Sequence, residues 1–452
     1  MFAGPPRGAE VAWINNRGGV NYSVKNEEPD DYTSIAPVAG HTMIKYEGSL
    51  VVWGGYHMLE DGSCEYRSPT HIYIYPASLD LSPRKWIVFT ANTGDVPPPT
   101  SGSCGILWTH FMLIFGGYVS FEVRGSLACH LSDVYMLNLI SGQWNAVKCA
   151  DDEFIPSPRD KAAGWVSRNI CYFFGGYGPH PSRLARSERY LYDEAIAQYM
   201  LDESAEGGRF WNNQLVAFSP QNECKKWKLI RTSGTIPSPR AAAASVLLPS
   251  KNCALVFGGR SGSNRLNDLY LLDMETMIWT NVNVGIRPGC RSWCSMACLD
   301  ESTVVIQGGL SNEDCVLSDW WRLKLYPEGC SKFGGDWHEI KCKDEQDHCR
   351  LWHTGAVVEG LYFLIGGSNI PLSEAMTLCK TSQLRLLTPS LLFSCYGAVT
   401  CNMLDVTWLP SSIQRHLKWR NYLESISDQN LEQVPEFLHL SLGDILRLSA
   451  LR

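Results

Sequence analysis

Two arginines, a serine and a tryptophan form the strongest candidate binding group in this 452-residue sequence. Arg260 and Arg265 stand five residues apart in FGGRSGSNRLNDL, and Ser292 and Trp293 follow in CRSWCS. Guanidinium groups match a carboxylate through paired hydrogen bonds, and a serine hydroxyl adds a neutral donor. The pattern indicates a pocket for an anionic ligand, such as a peptide C-terminus, between flat indole walls. The alternative is that both arginines bond loop carbonyls or pair with Asp268.

These residues belong to a repeat. An apolar run ending in Gly-Gly occurs six times, with the second glycine at Gly55, Gly117, Gly176, Gly259, Gly309 and Gly367. Such a run is typical of a strand buried on both faces, and the glycines let the backbone pass where no side chain fits. A tryptophan that would pack between neighbouring sheets follows five copies, at Trp86, Trp144, Trp227, Trp279 and Trp337. Repeats of this length predict the blades of a β-propeller.

The repeat also predicts which side chains surround one mouth of the propeller. The residues after the Gly-Gly pairs form one ring: Tyr56, Tyr118, Tyr177, Arg260, Leu310 and Ser368. In the last four copies, the residues after an Arg-centred start form a second ring: Asp160 and Lys161, Ala241 and Ala242, Ser292 and Trp293, and Leu351 and Trp352. We therefore expect two guanidiniums, a hydroxyl and two indoles to converge on one side of the mouth.

The pattern changes after residue 384. Apolar residues spaced by four predict one helix face at Leu391, Cys395 and Val399, and a second amphipathic helix carries Leu409, Pro410, Ile413 and Leu417. The simplest interpretation is a helical appendage packed on the propeller. We divide the chain into an N-terminal extension (1–30), a propeller (31–384) and a helical segment (385–452).

The repeats resemble the kelch family, which implies an all-β fold with a six-bladed kelch β-propeller. The two helical patterns resemble the elongin-binding BC box and the cullin box that selects cullin-2. Their combination resembles kelch domain-containing proteins one and two, non-catalytic substrate receptors of cullin-2 ubiquitin ligases that recognise C-terminal degrons, typically ending in glycine. The implied partners are elongin C, elongin B, cullin-2 and substrate C-termini.

The resemblance also implies roles for individual residues. Leu391, Cys395 and Val399 would bind elongin C, and Leu409, Pro410, Ile413 and Leu417 would bind the cullin. Arg260, Arg265 and Ser292 would hold the degron carboxylate. The remaining pocket residues would be Lys161, Tyr177, Trp211, Trp293 and Trp352. The chain departs from the family pattern at Cys294 and Ala243, where the family has histidines, so the preferred residues before the C-terminus are expected to differ.

Composition narrows the functional classes. The net charge of −7 argues against nucleic acid as the main partner, because such binding neutralises phosphates with Lys and Arg. No apolar run reaches the roughly 18 residues of a membrane helix. The 17 scattered cysteines favour reduced thiols in a cytoplasmic or nuclear protein.

We expect no metal or cofactor and no catalytic centre. A kelch interaction scaffold without a ligase role is the main alternative, and we expect the insertion at 178–210 to be a surface excursion rather than a lid.

Overall fold

The computed structural model describes residues 38–58, 64–77, 86–119, 129–149, 154–184, 187–205, 208–221, 227–328, 332–341, 348–371, 379, 381–386, 442–443 and 446. Six sheets of three to five strands account for most of this part of the chain. Within each sheet the main strands follow one another in sequence and pair antiparallel. We number these sheets one to six in chain order.

The first three sheets have four strands each. Sheet one contains Thr42–Tyr46, Ser49–Trp53, His71–Tyr75 and Ile87–Thr90. Sheet two contains Cys104–Trp108, Phe111–Phe115, Val134–Asn138 and Trp144–Ala146. Sheet three contains Ala163–Ser167, Ile170–Phe174, Leu215–Phe218 and Trp227–Leu229.

Sheets four and five each gain a short parallel strand from the preceding connection. Sheet four contains Ser233–Gly234, Ala244–Leu248, Cys253–Phe257, Leu269–Asp273 and Ile278–Asn281. Sheet five contains Asn283–Val284, Ser295–Cys298, Thr303–Leu310, Val316–Glu328 and Lys332–Ile340. Sheet six contains Thr354–Val358, Leu361–Ile365 and Ser382–Arg385. Short 3-10 helices span Pro181–Arg183, Ser187–Arg189 and Pro249–Lys251.

In each sheet one strand is the apolar run that leads into a Gly-Gly pair; it is the second strand of sheets one, two, three and six and the third of sheets four and five. All five residues are buried in Ser49–Trp53, Cys253–Phe257 and Leu361–Ile365. The expectation of strands covered on both faces is therefore confirmed. Apart from the short parallel strands of sheets four and five, the first strand of each sheet packs beside that of the next sheet, and Thr354–Val358 of sheet six packs beside Thr42–Tyr46 of sheet one.

The Gly-Gly pairs join each sheet to the next. The second glycine donates its N–H to a backbone carbonyl at the start of the following sheet, at 2.7–2.9 Å. The pairs are Gly55 to Thr100, Gly117 to Arg159, Gly176 to Arg240, Gly259 to Arg291, Gly309 to Arg350 and Gly367 to Val38. The last bond returns from sheet six to sheet one, so the cycle is closed. The first glycine meets the same carbonyl: a Cβ on Gly258, where φ is +62°, would lie 2.7 Å from the Arg291 oxygen.

A second closed cycle of backbone hydrogen bonds lies inside the first. Its members share a left-handed conformation, with φ between +53° and +67°. Each donates its N–H to the carbonyl of the member in the preceding sheet: Gly102 to Gly40, Lys161 to Gly102, Ala242 to Lys161, Trp293 to Ala242, Trp352 to Trp293 and Gly40 to Trp352. Lys161, Trp293 and Trp352 are thus held by their backbones around one opening.

The start arginines of sheets three to six are framework. Each donates from Nη1 to the carbonyl of the first glycine in its own sheet, at 3.0–3.2 Å: Arg159 to Gly175, Arg240 to Gly258, Arg291 to Gly308 and Arg350 to Gly366. Arg240 and Arg291 also form two-point ion pairs with Asp268 and Asp319 at 2.6–2.9 Å. Asp268 is therefore committed to Arg240, so its suggested pairing with the candidate arginines is wrong.

The five expected tryptophans pack between sheets. Trp86, Trp144, Trp227, Trp279 and Trp337 are each at most 6% exposed. The Trp144 ring lies 5.5 Å from that of Trp53 in the neighbouring sheet, and the Trp337 ring lies 5.4 Å from that of Phe257. These large rings fill the wedge between adjacent sheets, as their spacing in the repeat predicts.

Candidate functional site

In sheets one to five, short strands continue from the Gly-Gly pair at one end of the sheets, and we call this end the mouth. In these five sheets the residue after the Gly-Gly pairs with a residue on a returning strand. The pairs are Tyr56 with Tyr66, Tyr118 with His130, Tyr177 with Trp211, Arg260 with Arg265 and Leu310 with Val316. Sheets one to three therefore contribute aromatic pairs, sheet four contributes a cationic pair and sheet five contributes an aliphatic pair.

The two expected rings are adjacent. Each residue after a Gly-Gly also bridges a residue of the start segment: Ala39–Tyr56, Ser101–Tyr118, Asp160–Tyr177, Ala241–Arg260, Ser292–Leu310 and Leu351–Ser368. These bridges place the residues after the Gly-Gly pairs next to the start segments in every sheet, so the two rings form one continuous band around the mouth.

Arg260, Arg265 and Ser292 are brought together by this register. Arg260 lies opposite Arg265 in the sheet-four hairpin. An antiparallel bridge joins Leu266 to Arg291, so the next residues along, Arg265 and Ser292, lie opposite each other. All three candidates are nearly buried, with exposures of 5%, 6% and 0%.

Two buried polar atoms in this group, Arg265 Nε and the Ser292 hydroxyl oxygen, have no hydrogen-bond partner among the described residues. Arg265 Nη2 does bond Asp314 Oδ1, at 2.8 Å. Arg260 Nε donates to the Gly262 carbonyl at 2.9 Å, which partly bears out the alternative of a loop-carbonyl role. Burial, and then the neighbouring Arg265 charge, lower the pKa of Arg260.

Tyr177 and Trp211 form the wall beside Arg260. Their rings lie 5.2 Å apart, and the Arg260 guanidinium carbon is 6.0 Å from the Trp211 ring centre. The Tyr177 hydroxyl donates to Asp202 Oδ2 at 2.8 Å. Burial, and then this hydrogen bond, raise the pKa of Tyr177, so the hydroxyl stays protonated.

Trp293, Trp352 and Lys161 line another part of the mouth. The two indoles lie 5.8 Å apart, and Tyr56 packs edge-on against Trp352 at 5.3 Å. The Lys161 ammonium lies 5.7 Å from the Trp352 ring and bonds Asp160 Oδ2 at 2.5 Å. Trp293 and Trp352 are 6% and 8% exposed, so they supply apolar walls rather than surface patches.

A buried polar cluster holds Lys161. Arg209 donates to His130 Nδ1 at 2.6 Å, which leaves His130 Nε2 to carry the ring proton towards Asp160 Oδ1, 3.6 Å away. Burial lowers the pKa of His130, so the ring is neutral. Burial alone would raise the pKa of Asp160, but the Lys161 ammonium and His130 outweigh it and lower the pKa. Asp160 is therefore an anion paired with Lys161.

The insertion at 178–210 is part of the mouth, so the expectation of a mere surface excursion was wrong. Its strand Tyr199–Leu201 pairs with Arg209–Asn212 beside Trp211. Asp202 is 4% exposed and accepts the Tyr177 bond, and Met200 Sδ lies 3.7 Å from the Ser261 hydroxyl. The insertion therefore reaches both the aromatic wall and the sheet-four hairpin.

Sequence reasoning missed Asn312, Asp314 and Asp202. The first two lie in the loop of sheet five that follows the residue after Gly-Gly, the same place in the repeat as the Arg260 hairpin. Aligning the repeats on Gly-Gly would have placed this loop next to Arg265. Asp202 had no such signal, because the insertion has no counterpart in the other repeats.

The two departures from the family pattern face the Gly-Gly backbone. Cys294 and Ala243 would contact a Cβ on Gly309 and Gly259, respectively, at 3.1 and 2.9 Å. Burial raises the pKa of the Cys294 thiol to about 11. The equivalent residue in sheet six, His353, bonds the Ser295 hydroxyl at 2.8 Å instead.

The candidate elongin and cullin residues, Leu391, Cys395, Val399, Leu409, Pro410, Ile413 and Leu417, lie outside the described residues. Beyond them, Leu442, Gly443 and Leu446 are helical. Leu442 and Leu446 are fully buried in the core between sheets one and two, and Gly443 donates its N–H to the Ile140 carbonyl at 3.1 Å.

The mouth brings charged groups of both signs together. Its charged groups are arginines, a lysine and carboxylates already bonded to them or to Tyr177. Within the described ranges no cluster of three or more His, Cys, Asp or Glu side chains could hold a metal ion, and no helix there is long and apolar enough to span a membrane.

The family model described as the KLHDC2/KLHL20/DRC7 Kelch-repeats domain matches residues 27–196 and 203–386. The chain belongs to this kelch-repeat family. Kelch domain-containing protein 2 of Bos taurus is 30% identical over 341 residues, which cover 73% of this chain and 75% of the relative. Kelch domain-containing protein 1 of Homo sapiens is 29% identical over 339 residues, covering 73% and 75%.

A solved structure shares the overall fold at low sequence identity. The solved structure titled "Structure of YjhT" superposes with a TM-score of 0.54 at 13% identity, covering 77% of this chain and 95% of that one. With the two closed cycles of hydrogen bonds, these findings establish an all-β kelch-repeat propeller and a role in protein interaction typical of the family.

Proposed function

We propose that the chain is a six-bladed kelch propeller that binds the C-terminal carboxylate of a partner protein and recruits that protein to a cullin-2 ubiquitin ligase through elongins B and C. Sheets one to six would be the six blades. The observation that carries the binding half is the pair of buried, unpartnered groups on Arg265 and Ser292, next to the Arg260 guanidinium.

A carboxylate is the ligand that this group accommodates best. Arg265 Nε and the Ser292 hydroxyl are donors, and a carboxylate offers about four acceptor positions on two oxygens. A buried polar atom without a partner costs about 1–3 kcal/mol, and hydrogen bonds from these two groups to a bound anion would remove that cost. Each charge-assisted bond to the ligand contributes about 1.5–3 kcal/mol.

The walls favour a small terminal residue. Trp211, Trp293 and Trp352 are each at most 8% exposed, and Tyr177 is anchored by Asp202. Trp211 lies 6.0 Å from the Arg260 guanidinium, and the other two indoles pack against each other elsewhere in the mouth, so a bulky terminal residue would have to displace buried side chains. Glycine at the ligand's C-terminus satisfies this constraint, in line with the specificity that the family resemblance implies.

The ligase half rests on the spacing of Leu391, Cys395 and Val399 and of Leu409, Pro410, Ile413 and Leu417, followed by a chain that returns to the propeller at Leu442. The double substitution Leu391→Ala and Cys395→Ala should abolish co-purification with elongins B and C while peptide binding at the mouth is retained. Elongin association that survives this double substitution would contradict the adaptor role.

The decisive experiment compares two fluorescent peptides that differ only at the end, one with a free Gly-Gly carboxylate and one with a Gly-Gly amide. We expect the purified chain to bind the acid at least tenfold more tightly. Equal or absent binding would mean that the arginines serve the fold or another ligand. In that case the alternative, a kelch interaction scaffold without ligase activity, would be favoured.

A further inference from the structure

The loop Ser311–Cys315 of sheet five is docked onto Arg265. The Asn312 side chain accepts from the Arg265 N–H at 2.7 Å and donates to the Arg265 carbonyl at 3.3 Å. Asp314 Oδ1 accepts from Arg265 Nη2 at 2.8 Å. Both the backbone and the side chain of Arg265 are thus fixed by a neighbouring sheet.

The loop itself is held in a defined shape. Ser311 Oγ accepts from the N–H groups of Glu313 and Cys315 at 3.2 and 3.3 Å. Asp314 adopts the left-handed conformation, with φ of +56°, which is unfavourable for most residues other than Gly, Asn and Asp. These contacts fix the Asp314 carboxylate beside Arg265.

The loop carries two acidic side chains that are exposed to solvent. The Asp314 side chain is 69% exposed, whereas that of Arg265 is 6% exposed. Glu313 is also exposed. Hydrogen bonds from Ser311 and the backbone, followed by the Arg265 charge, lower the pKa of Glu313. By contrast, the mouth acids Asp160 and Asp202 are buried, at 3% and 4% exposure.

A bound carboxylate would leave Asp314 in place. A guanidinium has five N–H donors, of which Asp314 takes one on Nη2, while the Nε donor of Arg265 is buried and has no partner. A ligand carboxylate that bonds Nε would lie in the buried part of the mouth, and the residue before it would lie nearer the solvent, where Asp314 and Glu313 are exposed. Like charges near each other repel and opposite charges attract, even at a hydrated surface.

We propose that Glu313 and Asp314 form an acidic rim that selects ligands by the residue next to the terminal one, favouring Lys or Arg and disfavouring Asp or Glu. The proposal rests on the proposed function, since it assumes that a C-terminal carboxylate occupies the arginines. Asp314 is the specificity-determining residue, because it contacts Arg265 directly.

The test uses three free-acid peptides with Lys, Gln or Glu directly before a terminal glycine. Wild-type protein should bind the Lys peptide about fivefold more tightly than the Gln peptide, and the Gln peptide about fivefold more tightly than the Glu peptide at low salt. In Asp314→Asn, each of these two differences in affinity should shrink to about twofold or less. Asparagine tolerates the left-handed conformation, so the loop should persist, and a thermal melt checks this.

Asp300→Asn is the matched control. Its carboxylate is 48% exposed and lies 3.9 Å from Lys324, in the turn between strands Ser295–Cys298 and Thr303–Leu310 of sheet five, at the end away from the mouth. This variant should keep the wild-type order of the three peptides. High salt should also compress the order in wild type, because an exposed rim is screened.

Three outcomes would contradict the acidic rim. The first is an unchanged order of peptide affinities in Asp314→Asn, and the second is equal affinity of the wild-type protein for all three peptides. The third is a uniform loss of affinity for all three peptides in Asp314→Asn, which would make Asp314 only a positioning residue for Arg265. Failure of the proposed carboxylate binding would give a different result. In that case the wild-type protein would bind an amide version of the Gln peptide as tightly as it binds the free acid.

Discussion

Arg265 and Ser292 lie opposite each other where sheet four meets sheet five, and each keeps a buried polar atom with no hydrogen-bond partner in the described structure. Among the buried polar side chains of the framework, Arg240 and Arg291 form two-point ion pairs and Ser295 bonds His353 and Tyr362. Scattered framework atoms such as Ser49 Oγ and Gln307 Oε1 also have no partner within the described residues, but Arg265 and Ser292 combine two such atoms at the mouth. Unpaired buried groups lower the stability of the free protein. Their presence side by side points to a bound state in which a ligand satisfies both.

Ser292→Ala tests this relationship, because stability and binding should move in opposite directions. Removing an unpartnered buried hydroxyl should leave the free energy of unfolding unchanged or raise it by up to about 1 kcal/mol. Affinity for a glycine-ended peptide should fall about tenfold, because one donor to the carboxylate is lost. Denaturant unfolding and fluorescence anisotropy measure the two quantities.

Ser295→Ala is the control for that substitution. Ser295 is also buried, but it bonds both His353 Nε2 and the Tyr362 hydroxyl, at 2.8 and 3.0 Å. Its loss should destabilise the fold by about 1–3 kcal/mol and leave peptide affinity unchanged. If Ser292→Ala behaves like Ser295→Ala, the hydroxyl of Ser292 has a structural role and the carboxylate assignment fails.

Arg260→Ala should abolish useful peptide binding while the protein stays folded. Truncating one partner of a buried charge-assisted contact costs about 2–5 kcal/mol of affinity. The neighbouring Arg265 would lose a repulsive neighbour, so stability should change little. Peptide titration with a thermal melt is the measurement.

Arg291→Ala provides the contrast, since Arg291 is also buried and forms a two-point ion pair with Asp319 besides its bond to the Gly308 carbonyl. Breaking this pair should destabilise the fold by about 3–5 kcal/mol. An Arg260→Ala variant that is as destabilised as Arg291→Ala, or that binds peptide with wild-type affinity, would remove Arg260 from the site.

The repeat predicted the framework because each copy places the same kinds of residue in the same packing environment. A run such as CALVF is apolar at every position because sheets cover both of its faces, and Gly258 is glycine because the Arg291 carbonyl leaves no room for a Cβ. The ring of residues after Gly-Gly also follows from sequence alone, since register repeats in every sheet. Arg260 and Ser292 could therefore be assigned to one mouth before any coordinates.

The acids of the mouth could not be predicted in the same way. Asp314 contacts a residue 49 positions earlier, and Asp202 contacts one 25 positions earlier, through a loop and an insertion whose shapes the repeat does not define. The sequence suggested Asp268 as the acid that could pair with the arginines, whereas Asp314 neutralises part of the Arg265 charge. Pairings between non-adjacent loops depend on how the sheets close, and the periodicity of one chain segment carries no information on that.

Leu442→Ala should loosen the return of the C-terminal segment to the propeller. Leu442 is fully buried beside the turn Leu139–Gly142, which follows the third strand of sheet two and so lies at the end away from the mouth. The lost contacts and the resulting cavity should cost about 2–5 kcal/mol of unfolding free energy. Peptide affinity should not change.

Leu201→Ala is the comparison for Leu442→Ala. Leu201 is 43% exposed, so its truncation should stay within about 0.5 kcal/mol. Equal melting temperatures for wild type and Leu442→Ala would show that the segment is not anchored at this residue in solution.

Acid should open the seam between sheets six and one. His41 Nε2 bonds Thr354 Oγ1 across this seam at 2.7 Å, and burial, followed by the Arg67 charge, lowers the pKa of His41 to about 3. The folded state therefore keeps His41 neutral, whereas the unfolded chain protonates it near pH 6.5. Stability is fully present above pH 6.5 and falls by about 1.4 kcal/mol per pH unit between pH 6.5 and 3 for this group.

His41→Gln removes the titrating group while retaining a side chain that can bond Thr354. The variant should therefore show a shallower loss of unfolding free energy between pH 6.5 and 4.5 than wild type, by about 1 kcal/mol per pH unit. Denaturant titrations at three pH values measure the slope. Identical slopes in the two proteins would mean that His41 is protonated in the folded state or that the seam does not depend on it. A steeper slope in the variant would contradict the sign of the pKa shift.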